Sequence, residues 1–196
     1  MNFPLTFRFK FIALAPQIFV QDASGQTVCY VKQKMFRFRE KVAVFTDESQ
    51  RQLLATIEAD RIIDWSARYT IKDAAGNVLG TLGRRGFKSL WRAHYEVFLP
   101  GQEGPAYVLR EENPFIKMLD GFFDQIPIVG LLTGYMFHPR YAALRNGTEP
   151  VFRLIKEAAL FEGRFSLVQS APADAVAETT LTMSFLMMVL LERNRG

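Results

Sequence analysis

The 196-residue sequence holds one cysteine, two histidines and two tryptophans, and each scarcity closes off chemistry. Cys29 can form no internal disulfide, and no thiolate set is present to bind zinc or an iron–sulfur cluster. It sits in the β-like run Thr27-Val28-Cys29-Tyr30-Val31, which reads as a buried, inert thiol in a reducing compartment. His94 lies among aromatics in a strand-like run and His138 precedes Pro139 in a loop. Neither has a Cys, Glu or second His at metal-ligand spacing, so both read as structural. The sequence has no Gly-x-Ser-x-Gly elbow and no phosphate-cradling glycine loop. Gly80-Thr81-Leu82-Gly83-Arg84-Arg85-Gly86 opens no helix after a parallel strand and reads as a turn or bulge. The segment 120–124 lacks the oxygen ligands of an EF-hand loop. The expectation is no catalytic constellation, no metal and no cofactor.

Long hydrophobic runs are also scarce. Phe11-Ile12-Ala13-Leu14-Ala15, after Arg8 and Lys10, imitates a secretory leader, but it is shorter than an h-region of about 7–15 residues and Pro16 ends it. The longest apolar run, from Leu181 to Leu191, is interrupted only by Thr182 and Ser184. At about 1.5 Å per residue it covers about half of a bilayer's hydrocarbon core, so it reads as a buried helix and not a membrane span. Because it is apolar all round, it needs an enclosing wall of protein.

The remaining composition is that of one globular domain: 49% hydrophobic, 22% charged, net charge +4. A chain of this length buries about 70% of its unfolded surface and needs no staple to fold.

From Phe7 to about Val108, short runs alternate apolar and polar residues between turn signals. Segments 17–22 and 27–32 flank Ala23-Ser24-Gly25-Gln26, and 41–46 and 52–58 flank Asp47-Glu48-Ser49-Gln50. Segments 68–72 and 78–82 flank Asp73-Ala74-Ala75-Gly76-Asn77, and 94–98 pairs with 106–110 across Pro100-Gly101-Gln102-Glu103-Gly104. Strands resume at 140–145, 151–156 and 164–169, with Asn146-Gly147 marking a hairpin turn. Regular spacing and tight turns indicate an antiparallel sandwich or barrel, and the absence of intervening helices excludes a parallel sheet. Between 113 and 139 the pattern changes. Asn113-Pro114 reads as a helix start, with Phe115, Met118, Leu119, Phe122 and Phe123 at helical spacing. The glycine-rich apolar stretch 126–136 reads as a lid on one end of the barrel, with a membrane-touching loop as the alternative.

The stretch Tyr30-Val31-Lys32-Gln33-Lys34-Met35-Phe36-Arg37-Phe38-Arg39-Glu40-Lys41-Val42-Ala43-Val44-Phe45 resembles the opening signature of LURP-one-related proteins. Ala67-Arg68-Tyr69-Thr70-Ile71-Lys72-Asp73, Gly76-Asn77-Val78-Leu79-Gly80 and Arg84-Arg85 repeat that family's strand, turn and strand layout. The family belongs with tubby C-terminal domains and phospholipid scramblases. The resemblance runs from about residue 17 to 191 and implies a mainly β fold: a single domain, 1–196, forming a closed antiparallel barrel of about twelve strands around the hydrophobic C-terminal helix. The 115–136 segment is longer and more apolar than the family pattern. In such a barrel Val42, Val44, Leu54, Tyr69 and Ile71 would face the helix, and Met183, Phe185, Met187 and Met188 would fill the gaps.

Charge is the feature that points to a partner. Residues 30–92 carry 13 basic and 7 acidic side chains, against 11 and 13 in the remainder. Lys32, Lys34, Arg37, Arg39 and Lys41 form one cluster, and Arg84, Arg85, Lys88 and Arg92 a second. By the two-residue period Lys32 and Lys34 share a face, as do Arg37, Arg39 and Lys41 where the chain is extended. These nine residues are the candidate site for anionic headgroups. The same cations also fit the solvated outer face of a barrel. Tubby domains bind phosphatidylinositol bisphosphate through basic side chains outside the barrel, so the resemblance implies a non-enzymatic binding or scaffold protein, monomeric and cytoplasmic, in peripheral contact with anionic membrane. No basic residue here is matched individually to the tubby lipid site. Two other readings stay open. Phe36, Phe38, Phe87 and Trp91 interleave the cations and could stack bases of nucleic acid, and a small-molecule or catalytic site could lie near His94, His138 and the 115–136 lid.

Overall fold

The computed structural model describes residues 1–10, 17–32, 41–60, 67–84, 94–112, 140–157 and 163–193. The strands are β1 (Leu5–Lys10), β2 (Gln17–Gln21), β3 (Thr27–Lys32), β4 (Lys41–Phe45), β5 (Leu53–Ala59) and β6 (Arg68–Asp73). They continue as β7 (Val78–Arg84), β8 (His94–Phe98), β9 (Tyr107–Glu111), β10 (Arg140–Arg145), β11 (Glu149–Glu157) and β12 (Gly163–Gln169). Each pairs antiparallel with its chain neighbours, and β12 returns to β1, with Phe7 opposite Phe165. The result is a closed twelve-stranded barrel with no exposed sheet edge among its described strands. The sequence places the first alternation at Phe7. The strand begins at Leu5, and it is the strand that closes the ring.

Alternation decides which residues line the interior. Leu5, Phe7 and Phe9 of β1, Val42 and Val44 of β4, and Tyr69 and Ile71 of β6 are buried, as the two-residue period requires. Leu54 departs from expectation and is only partly buried. The β4–β5 register shifts between Val44 and Phe45, so Ala55 and Ile57 take the inward positions and Leu54 falls at the bulge. Tight turns rest on glycine and asparagine in left-handed conformations: Asn146 and Gly147 have φ of 52° and 73°, the pair of positive angles that a two-residue hairpin turn demands.

One described helix, α1 (Ala175–Arg193), fills the barrel. Asp174 caps it, accepting the Ala177 N–H on Oδ1 at 2.8 Å. Every residue from Thr180 to Met188 is at most 1% exposed, so the all-round apolarity is satisfied by the wall of strands. The helix is longer than its apolar run. The stretch Ala175–Glu192 has a mean hydropathy of 1.4 and is long and apolar enough to cross a bilayer by length and composition. The short-run argument is therefore corrected: what places the helix is its enclosure, with 67% of that stretch buried.

The helix lies close to β7. A Cβ on Gly80 would stand 2.6 Å from Thr180 Cγ2 and 2.8 Å from the Phe98 carbonyl oxygen, so only glycine fits there. The register between β6 and β7 shifts next to it, leaving Leu79 as the extra residue, and the Thr180 hydroxyl donates to the Leu79 carbonyl at 3.1 Å. A bulge lies at Leu79, immediately before the glycine-rich run in which a turn or bulge is expected, and receives the helix. The segment 113–139, with its expected helix and lid, lies outside the described residues.

Candidate functional site

In an up-and-down barrel, successive connections alternate between the two ends. Connections 22–26, 46–52, 74–77, 99–106 and 146–148 leave one end, which is also where the chain enters α1. Connections 11–16, 33–40, 60–67, 85–93, 112–139 and 158–162 leave the other. Both basic clusters therefore belong to one end of the barrel, around the junctions β3–β4 and β7–β8. Segments 33–40 and 85–93 together carry six Lys and Arg against one Glu.

Of the nine candidate residues, Lys34, Arg37, Arg39, Arg85, Lys88 and Arg92 lie outside the described residues. Arg84 ends β7, opposite Tyr95. Lys32 ends β3 and is exposed. Lys41 opens β4 and is also exposed, but its ammonium lies 2.7 Å from Glu58, which Lys72 meets at 2.6 Å. Hydrogen bonds from Lys41 and Lys72 hold the Glu58 carboxyl well down, at about 2. Sequence spacing did not show this pairing, because Glu58 comes from β5. Its signal was available only in the hairpin register, where Lys41 stands opposite Glu58.

The interior near the same end holds a polar group that sequence reasoning missed. The Tyr95 hydroxyl donates to Glu192 Oε1 at 2.6 Å. Glu111 and Tyr141, opposite each other on β9 and β10, are 8% and 7% exposed. Burial, then the Glu111 and Glu192 carboxylates, push the Tyr141 hydroxyl well above its ordinary range. This group ties the last turn of α1 to the wall. His94 alternates with buried Tyr95 and so faces outward, opposite Arg110, away from the interior that a catalytic reading would use. His138 lies outside the described residues. Cys29 is fully buried, and burial pushes its thiol up to about 12, which makes it inert. Among the described residues, no three His, Cys, Asp or Glu are placed to hold a metal ion.

Comparison with known proteins agrees with the twelve-stranded wall and its enclosed helix. A family model described as LURP-one-related matches residues 27–166. The chain belongs to the LURP-one-related family. An X-ray structure of a protein from Arabidopsis thaliana is similar in fold, with a TM-score of 0.51 and 13% identity over 98% of this chain and 93% of that one. No curated protein matches the sequence at a significant level. The LURP-one-related match spans both basic clusters, from Lys32 to Arg92, and stops before α1.

Proposed function

We propose that this LURP-one-related protein is a non-enzymatic binding or scaffold protein that contacts anionic phospholipid headgroups at a membrane surface through the basic end of its barrel. The observation that carries this reading is topological: the connections holding Lys34, Arg37 and Arg39 and those holding Arg85, Lys88 and Arg92 leave the same end, beside exposed Lys32. Phe36, Phe38, Phe87 and Trp91 stand among these cations in sequence. Cations with interleaved aromatics suit the headgroup region, where basic residues meet anionic lipid and Trp rings settle at the boundary. The filled interior favours an outside surface over a small-molecule or catalytic site beneath 115–136. The contact is peripheral, since α1 is committed to the barrel.

Flotation with neutral and with anionic liposomes, at two salt concentrations, tests the proposal. Retention by anionic vesicles that weakens with salt is expected. Failure of anionic vesicles to retain the protein at low salt ends the lipid reading. Retention by single-stranded DNA, with a slope of about −0.7 per phosphate in log K against log salt, would favour nucleic acid.

A further inference from the structure

The exposed large apolar side chains among the described residues are Met1, Val78, Val168 and Val176, at 37–47% exposure. All four stand at the end where α1 enters the barrel: Val168 is the last residue but one of β12, Val78 opens β7, and Met1 meets Glu178 in the first turn of α1 beside Val176. Val78 and Val176 belong to one patch. Val176 lies one helical turn before Thr180 and shares its face of α1, and the Thr180 hydroxyl bonds to the carbonyl of Leu79, next to Val78. Ala74 and Ala75, exposed in the connection ahead of β7, extend the same surface. A clustered apolar patch on a rim is the mark of a contact site.

The rim around this patch is acidic. Connections 22–26, 46–52, 74–77, 99–106, 146–148 and 170–174 hold five Asp or Glu against one Arg. Asp47, Glu48, Glu103 and Asp174 are exposed. Bonding within a turn does not remove the charge: Ser49 holds the Asp47 carboxyl below its ordinary range, so it stays ionised. The opposite rim is the electrostatic complement. Arg110 near the end of β9, Arg140 at the start of β10 and Lys156 near the end of β11 are exposed on three neighbouring strands, with exposed Lys32 and Arg68 further round. The carboxylates Glu58, Glu112 and Glu157 toward that rim are each met by other cations: Lys41 and Lys72, Arg153, and Arg164.

We infer that the apolar, acidic rim around Val78 and Val176 docks the basic rim of a second copy of this chain, head to tail. Back-to-back pairing of two acidic rims, or of two basic ones, sets like charges against each other, which is costly across an interface. Head-to-tail contact brings opposite signs together and covers the exposed valines. Two different surfaces meet in such a contact, so each added copy leaves one rim of each kind open, and the series extends beyond a dimer as concentration rises.

Sedimentation velocity on the full chain, at rising concentration and two salt concentrations, tests this. No lipid is added, so the result is independent of the headgroup reading. At low salt the average mass is expected to climb past that of a dimer, and at high salt to fall back toward the monomer. Glu48→Lys/Glu103→Lys makes the acidic rim more basic, and Arg110→Glu/Arg140→Glu/Lys156→Glu makes the basic rim more acidic. Each variant alone is expected to associate about 100-fold more weakly than wild type, and an equal mixture of the two to associate again. Recovery on mixing cannot come from chains that fail to fold. Val78→Ser/Val176→Ser leaves every charge in place and is expected to weaken association about tenfold. A wild type that stays monomeric at every concentration in low salt, the state the family resemblance implies, overturns the proposal. So does a mass that stops at the dimer and persists in high salt, the sign of an apolar back-to-back pair, and so does a mixture of the two charge variants that stays apart while the wild type associates.

Discussion

At the barrel end where the hairpins turn and α1 enters, carboxylates serve local structure. Asp22 accepts the Ser24 and Gln26 amides at 2.9 and 3.0 Å, Asp47 accepts the Ser49 amide at 2.7 Å, and Asp73 accepts the Asn77 amide at 2.8 Å. Each carboxyl is held below its ordinary range, first by its side-chain partner: Ser24, Ser49 or Asn77. Asp174 caps the helix that starts there, and Glu178 in its first turn receives the Met1 amino group at 2.9 Å. At the opposite end the connections are longer, up to the 28 residues from 112 to 139, and both tryptophans, Trp65 and Trp91, fall in them. Two of those connections hold six cations and one acid. The difference teaches where to look for function. Acids at the turn end are explained by the turns they make, whereas the basic surplus of the other end is what the headgroup proposal draws on.

The largest expected effect breaks this comparison or fixes it. At about 1 kcal/mol per cation near an anionic surface, Lys34→Gln/Arg37→Gln/Arg39→Gln should weaken partition onto anionic vesicles by about 100-fold. Asp22→Asn/Asp47→Asn at the turn end should change partition by less than about threefold, since these charges stand far beyond the screening length. Lys41→Gln should cost less than any one of the three, because Glu58 already balances its charge. Equal losses from the two ends would remove the distinction.

Next in size is the fastening of the helix. Gly80→Val drives side-chain atoms into Thr180 and the Phe98 carbonyl, where the backbone cannot yield. A loss of about 2–3 kcal/mol in chemical denaturation is expected. Asp174→Ala removes the helix cap and should cost about 1 kcal/mol. At the other end, Tyr95→Phe removes the hydroxyl that offsets a carboxylate placed unfavourably in the last turn of α1. Hydrogen exchange of the helix amides separates the ends: the cap variant should loosen the first turn, and Tyr95→Phe the last.

Much of this fold was legible in the sequence for a definite reason. Turn residues such as Asn146-Gly147 and the alternation of Val42 and Val44 are local signals, and local signals place strands. An all-apolar stretch from Leu181 also states that it must be enclosed. What the sequence could not show depends on register between distant strands. Lys41 belongs to Glu58, Arg8 faces Arg164, and Leu54 gives up its inward place, each because a partner strand sets it. The apolar run alone understates the helix, because its first turn, Ala175 to Glu178, is mixed in polarity and is defined by the Asp174 cap and not by apolar character.

The smallest expected effect concerns acid, and it asks whether the two ends unfold together as their carboxylates titrate. Hydrogen bonds from Lys41 and Lys72 hold the folded Glu58 carboxyl at about 2, below its ordinary value of 4.5. A depressed carboxyl contributes stability above its unfolded value, and that contribution disappears as pH falls from about 4.5 towards 2. Lys41 is largely in solvent and Lys72 and Glu58 are partly so, so the contribution is at most about 1 kcal/mol. Glu58→Gln should therefore lower Tm slightly at neutral pH and flatten part of its decline between pH 4.5 and 2. The turn-end aspartates, whose pKa values are also lowered, add to the slope in the same direction. Asp22→Asn in the Glu58→Gln background should flatten it further. A Glu58→Gln variant whose Tm follows wild type across that window would show that the Lys41–Glu58–Lys72 bridge contributes nothing to the wall, and Lys41 would then be as available to an anionic surface as Lys32.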